Sequence, residues 1–235
     1  MAKGFAIWLL VLVSSAPAIA DDATVDFGVG SNPNGNWSYL SAGVLLSRGQ
    51  STCNGITGIE CWDNDTAVIN YASISKNTTG SPIPENGTVS LPPGELNLDP
   101  EDTGSVIVEW TAPSSGNYSV SGFFSGLDVQ GNPHSAEVIL GSSPTATVLF
   151  STTIDTGDVY DFSFTEAMTA GEVLDFEVDS ASPGTYLGTG FDATIDPAGV
   201  TPEPSSLGLF VLGLVVLALR RWRARIRRAA GCATI

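Results

Sequence analysis

The sequence predicts an all-β fold, an antiparallel β-sandwich ectodomain followed by one C-terminal transmembrane helix. Three observations carry this. From Ser105 onward, apolar and polar residues alternate with a period of two, the mark of strands that bury one face. Clusters of Gly, Pro, Asn and Ser recur roughly every 8–12 residues, and nothing ahead of the C-terminus has the 3.6-residue period of an amphipathic helix. Finally, Ser205–Leu219 is a charge-free apolar run closed by arginines.

In chain order, residues 1–20 read as a secretory signal peptide. Lys3 gives the positive start, Phe5–Val13 is an apolar run too short to span a bilayer, and Ala18-Ile19-Ala20 offers small residues before a cut near Asp21. Residues 21–200 form the ectodomain. Thr24–Val29 alternates like a strand, Asn32-Pro33-Asn34-Gly35-Asn36 is a dense turn signal, and a second strand opens at Trp37. Residues 51–104 are the least regular part. Asp63–Thr66 reads as a polar turn before a short strand over Ala67–Ile74, and Pro82, Pro84, Pro92, Pro93 and Pro100 interrupt the chain. Long loops and edge strands are expected there. Beyond Ser105 the inward rows are Val106, Val108 and Trp110, then Tyr118, Val120 and Phe124, then Val138 and Leu140, and Val148 and Phe150. Tyr160, Phe162 and Phe164 follow, with Leu174, Phe176 and Val178 set against Asp175, Glu177 and Asp179, and a last strand over Phe191–Ile195.

The net charge of −16 hides an asymmetry. Only Arg48 and Lys76 are basic between residues 21 and 201, against 24 acidic residues, so this span carries −22. Such a surface repels phosphate backbones, which excludes nucleic acid as a partner. It suits divalent cations or simple solubility.

The C-terminal region, 201–228, has three unlike zones in order. They are Pro202-Glu203-Pro204, the apolar run, and a cluster of Arg220, Arg221, Arg223, Arg225, Arg227 and Arg228. Residues 229–235 are a short tail with Cys232. At about 1.5 Å per residue, the fifteen residues from Ser205 to Leu219 reach roughly 22 Å, short of a hydrocarbon core of about 30 Å. Snorkelling arginines and local thinning make insertion feasible, with the basic end cytoplasmic. The two prolines keep residues 201–204 extended, a shape a protease cleft accepts.

This tail resembles PEP-CTERM sorting domains, which exosortase-type transpeptidases recognise. The resemblance implies export through the Sec pathway, arrest at the inner membrane by the C-terminal helix, processing at Pro202-Glu203-Pro204, and a final place at the cell surface or outside the cell. It also implies a setting of exopolysaccharide or biofilm. Asn34-Gly35-Asn36-Trp37-Ser38-Tyr39 is similar to the opening of an ectodomain found in several such proteins, although Leu40 stands where a glycine is expected. Val108-Glu109-Trp110-Thr111-Ala112-Pro113 followed by Gly116-Asn117-Tyr118 is similar to a hairpin of jelly-roll, galactose-binding-like modules. That resemblance implies a jelly-roll-like sandwich and, in many relatives, carbohydrate binding.

Candidate chemistry is sparse. Cys53 and Cys61 enclose a loop with two glycines. Export favours a disulfide, with free thiols or a metal pair as the alternatives. Asp155, Asp158 and Asp161 surround a glycine turn and are candidate ligands for a structural calcium, against the alternative of solvated acids; Asp63 and Asp65 form a second acidic turn. Of the aromatics, Trp110 and Tyr118 fall in core rows, and Trp62 beside Cys61 is the candidate glycan contact. His134 is the only histidine and no Gly-x-Ser-x-Gly elbow is present, so no catalytic residue is assigned and the expectation is a non-enzyme. The expected function is an exported surface or matrix protein sorted by exosortase. The alternatives are a carbohydrate-binding module with structural calcium and, less favoured, a secreted hydrolase.

Overall fold

Strands that alternate apolar and polar side chains can each bury one row, and here they do so by stacking two antiparallel sheets face to face. The computed structural model describes residues 20–64, 72–85, 87–100, 104–142, 145–180 and 187–198. In chain order the strands are β1 (Asp21–Asp22), β2 (Trp37–Ser41), β3 (Val44–Leu45), β4 (Arg48–Gln50), β5 (Ile59–Asp63), β6 (Ser73–Asn77), β7 (Ile83–Glu85) and β8 (Val89–Leu91). They continue as β9 (Leu96–Asp99), β10 (Ser105–Thr111), β11 (Gly116–Gly126), β12 (His134–Leu140), β13 (Thr147–Ile154), β14 (Val159–Met168), β15 (Val173–Asp179) and β16 (Thr189–Ala198). The larger sheet runs β14-β11-β16-β9-β6-β5-β4, with β1 added beside β16. The six-stranded sheet runs β13-β12-β15-β10-β2-β3, and β7 and β8 form a separate hairpin.

The inward rows expected in the second half form the core. Val106, Val108 and Trp110 of β10 are buried beside Leu174, Phe176 and Val178 of β15. Opposite them lie Tyr118, Val120 and Phe124 of β11 and Phe191 and Ile195 of β16. Rings bridge the two sheets, with centroids 5.0 Å apart for Phe176 and Phe191 and 4.9 Å for Trp110 and Tyr118. The β10–β11 hairpin is fastened by Tyr118, whose Oη donates to the Ser114 carbonyl over 2.7 Å.

Val148 and Tyr160, expected to point inward, are exposed. β13 and β14 are the outermost strands of their sheets, and the β12–β13 register shifts between Val138 and Ile139. An irregularity of this kind turns side chains out of the row they would otherwise join.

Residues 51–104 depart most from expectation. Instead of loops and edge strands, β5, β6 and β9 are interior strands of the larger sheet. Trp62, Ile74, Leu96 and Leu98 face the main core. The outer side is roofed by a second small core of Cys53, Ile59, Cys61 and Leu91, against which Ile56, Ile83 and Leu127 pack. The strands are short and carry Ser75, Asn77 and Asn97 on a buried side, so the usual contrast between an apolar and a solvated face is lost. The strand expected over Ala67–Ile74 begins at Ser73, and residues 65–71 lie outside the described residues.

The expected signal peptide and transmembrane helix, with Pro202, Glu203, Pro204 and the six tail arginines, also lie outside the described residues. Among the described residues no helix is long and apolar enough to cross a membrane.

Candidate functional site

Cys53 and Cys61 are joined as a disulfide with Cα atoms 5.4 Å apart, and both are fully buried. The bond ties the short helical turn Cys53–Gly55 to β5. Trp62, expected as an exposed sugar platform, is instead 5% exposed. It lies in β5 opposite Ile74, faces the main core, stacks on Tyr39 and donates Nε1–H to the Gly28 carbonyl over 2.9 Å. Because strand pairing turns it inward, its ring cannot receive a glycan.

The calcium set Asp155, Asp158 and Asp161 does not assemble. Asp158 Oδ2 accepts from the Asp155 N–H at 3.1 Å and Asp155 Oδ1 accepts from the Thr156 N–H at 2.7 Å, so both carboxylates fasten their own turn. Asp161 is exposed in β14, opposite Phe123. Among the described residues no group of three or more His, Cys, Asp or Glu is placed to hold a metal. Asp63 is not in a turn. It is a buried member of β5, ion-paired to Arg48 at 3.0 Å and hydrogen-bonded by Gln50 Nε2.

His134 begins β12 and is buried. Nδ1–H donates to the Asn132 carbonyl at 2.8 Å, and Nε2 lies 2.6 Å from Thr189 Oγ1, whose single hydroxyl proton is within reach of both Nε2 and the Leu187 carbonyl. Burial pulls its pKa down against the opposing pull of that carbonyl and of Asp155. A neutral imidazole with both nitrogens occupied is a structural group.

Two features were not anticipated from the sequence. The first is a cavity of about 220 Å³ lined by Asp21, Asp26, Asn34, Gly35, Asn36 and Trp37. Asp21 Oδ2 accepts from Trp110 Nε1 at 2.8 Å and Asn36 Nδ2 at 2.9 Å, and Asp26 Oδ2 accepts from Trp37 Nε1 at 3.3 Å. Two carboxylates beside two amides are hard oxygen donors of the kind divalent cations take. The Asn-rich turn was visible in the sequence. Its meeting with Asp21 was not, because β1 is placed by pairing with β16 at the far end of the domain.

The second is an acidic row on the outer face of the six-stranded sheet. Glu109 lies opposite Asp175, and Glu177 lies opposite Glu137. Partial burial, then the charges of Glu109 and Glu177, push the Asp175 carboxyl up to about 7, and burial also raises Glu109. Near neutral pH the Asp175 carboxyl is therefore partly protonated and can both donate and accept hydrogen bonds. Asp175 and Glu177 were expected on the solvated face, opposite the apolar row of their strand.

After the last strand the sequence continues into the tail. Residues 200–223 carry a PEP-CTERM protein-sorting motif. The match includes Pro202-Glu203-Pro204, the apolar run, and Arg220, Arg221 and Arg223. No curated protein matches the sequence. Solved structures similar to this chain include a family 35 carbohydrate-binding module from Clostridium thermocellum, 14% identical, covering 50% of this chain and 87% of that one with a TM-score of 0.32. Another is the CBM22-1 xylan-binding domain from Paenibacillus barcinonensis, 8% identical, covering 77% of this chain and 96% of that one with a TM-score of 0.35. A third is a two-module structure of a Clostridium thermocellum endo-1,4-beta-D-xylanase, 14% identical with a TM-score of 0.33; the likeness takes in 51% of this chain and only 24% of that one. The assignment of the sandwich rests on its own strand pairing.

Proposed function

We propose that this chain is an exported, non-enzymatic protein that exosortase sorts to the cell surface or extracellular matrix. Residues 1–20 direct Sec export, residues 21–200 form the working domain, Ser205–Leu219 halts in the inner membrane, and the arginines from Arg220 to Arg228 stay cytoplasmic. Exosortase then acts at Pro202-Glu203-Pro204. The observation that carries this reading is the sorting motif at residues 200–223, which starts directly after the last strand ends at Ala198. The sandwich is complete before the signal begins, so cutting there removes no strand.

The domain's role is a matrix or glycan contact within an exopolysaccharide setting. The hydroxyl-binding capacity of the Glu109–Asp175 row supports that role, and the neutral, structurally engaged His134 supports a non-catalytic one. The test is the double substitution Pro202→Ala and Pro204→Ala. The expected outcome is full-length protein retained in the membrane fraction, with release reduced at least tenfold on immunoblots. Release at the wild-type rate would remove the sorting function.

A further inference from the structure

Under the β7–β8 hairpin, the outer face of the larger sheet carries polar side chains that strand pairing sets side by side. Ser75 of β6 lies opposite Asn97 of β9, which lies opposite Gly190 of β16. Glu85, the last residue of β7, is turned into this layer and is only 3% exposed. The hydrogen bond it accepts from Asn97 Nδ2 on Oε2 is long, at 3.4 Å. Ser75 lies beside the same carboxylate. Asn97 is 2% exposed and Ser75 0%, yet Asn97 Oδ1 has no hydrogen-bond partner, and Ser75 Oγ has none of ordinary geometry although it lies near enough to favour the charged form of Glu85.

The charge of Glu85 has no compensating cation. Arg48 and Lys76 are the only basic residues between 21 and 201. Arg48 is paired with Asp63, and Lys76 Nζ donates to the Thr24 carbonyl. A buried carboxylate with an unpaired amide oxygen and a poorly paired hydroxyl beside it is costly as it stands, because each group has lost water and gained little. A hard cation relieves all three at once.

We propose that a calcium ion binds beneath the β7–β8 hairpin, held by the carboxylate of Glu85, Oδ1 of Asn97 and Oγ of Ser75. The Asn97 amide turns about its terminal bond so that oxygen rather than nitrogen faces Glu85, an exchange that leaves the side-chain shape unchanged. Main-chain carbonyls and water complete the six to eight oxygen ligands that calcium takes in flexible geometry. Magnesium demands a near-ideal octahedron and keeps most of its own water, so three fixed protein oxygens in a roofed layer suit it poorly. These residues are separate from the Asp155–Asp161 turn and from the Asp21–Asp26 cavity. The bound ion fastens the hairpin to β6 and β9, so its affinity appears as stability of the fold.

The test is thermal unfolding of the full chain in detergent at pH 7, with calcium titrated from a chelated baseline and magnesium as the parallel arm. The wild type should gain about 5–10 °C at calcium a hundredfold above Kd, and far less with magnesium. Glu85→Gln keeps the shape, removes the uncompensated charge and should abolish the calcium shift, while Asp26→Asn in the separate cavity should leave it intact. Three results would overturn the proposal. They are a wild type indifferent to calcium, a full shift retained in Glu85→Gln, or a shift lost only in Asp26→Asn. The first would mean that a proton alone balances Glu85, and the other two would place the ion elsewhere.

Discussion

The two sheets turn different backs to the world. The outer face of the larger sheet is roofed by the β7–β8 hairpin and the disulfide loop, and its polar side chains are sealed in. The outer face of the six-stranded sheet has no such cover among the described residues, and its acids remain partly exposed. Both faces carry carboxylates, and burial raises the pKa of Glu85 and Glu95 on the first as it does that of Asp175 and Glu109 on the second. The difference is reach. A solute can approach the open row from solvent, whereas the roofed layer admits only what the hairpin encloses when it folds. The open face is therefore suited to binding and the roofed face to holding the domain together.

If that division is right, the roof should behave as true core. Leu91 is fully buried in the second core. Leu91→Ala should lower unfolding free energy in urea by about 3 kcal/mol, as large-to-small changes in packed sites do. Ile139, opposite Asp175 on the open side and partly exposed, is the control. Ile139→Ala should cost under about 1 kcal/mol. Equal costs would show that the two outer faces do not differ in packing.

Next in size is the disulfide. Cys53 and Cys61 are eight positions apart, so the closed loop is short and its entropic contribution is about 2–3 kcal/mol. Cys53→Ser with Cys61→Ser should lower the melting temperature by about 5–10 °C. Hydrogen exchange should then rise first in residues 53–63 and in the hairpin, leaving β10, β11 and β15 protected. Uniform loss of protection across both sheets would mean that the roof is not a separate layer.

The same contrast explains what could be read from the sequence. β10, β11 and β15 belong to sheets with one apolar and one wet face in that half of the molecule, and Val108-Glu109-Trp110 or Leu174-Asp175-Phe176 displays the period directly. β5, β6 and β9 are covered on both sides. Ser75 and Asn97 occupy positions that a sequence reader assigns to solvent, and the prolines around them look like loop punctuation. Trp62 was misplaced for this reason, since its neighbours Cys61 and Asp63 are also buried and no polar alternation reveals an inward face. The tail was legible because its zones are defined by residue type and order rather than by contacts. The Asp21–Asn36 cavity and the Glu109–Asp175 pairing depend on which strands become neighbours, which no local spacing encodes.

The smallest effect tests the open face alone. Asp175 holds its proton more tightly when folded, with a pKa near 7 against an ordinary 3.8. Between those values the folded protein keeps a proton that the unfolded chain has released. Its contribution therefore reduces stability progressively as pH rises from about 4 to about 7, and the full penalty persists above that. Solvent screening of this partly exposed group limits the penalty to about 1–2 kcal/mol. Asp175→Asn removes the charge while keeping the shape, so it should stabilise the protein by that amount at pH 8 and hardly at all at pH 4. Denaturation curves across this range should show a flatter fall for the variant, with Glu85, Glu95, Glu109 and Asp192, whose pKa values burial also raises, supplying the slope that remains. Parallel curves for variant and wild type would mean that Asp175 is fully hydrated, and the open face would then lose the retained proton on which its capacity to donate hydrogen bonds depends.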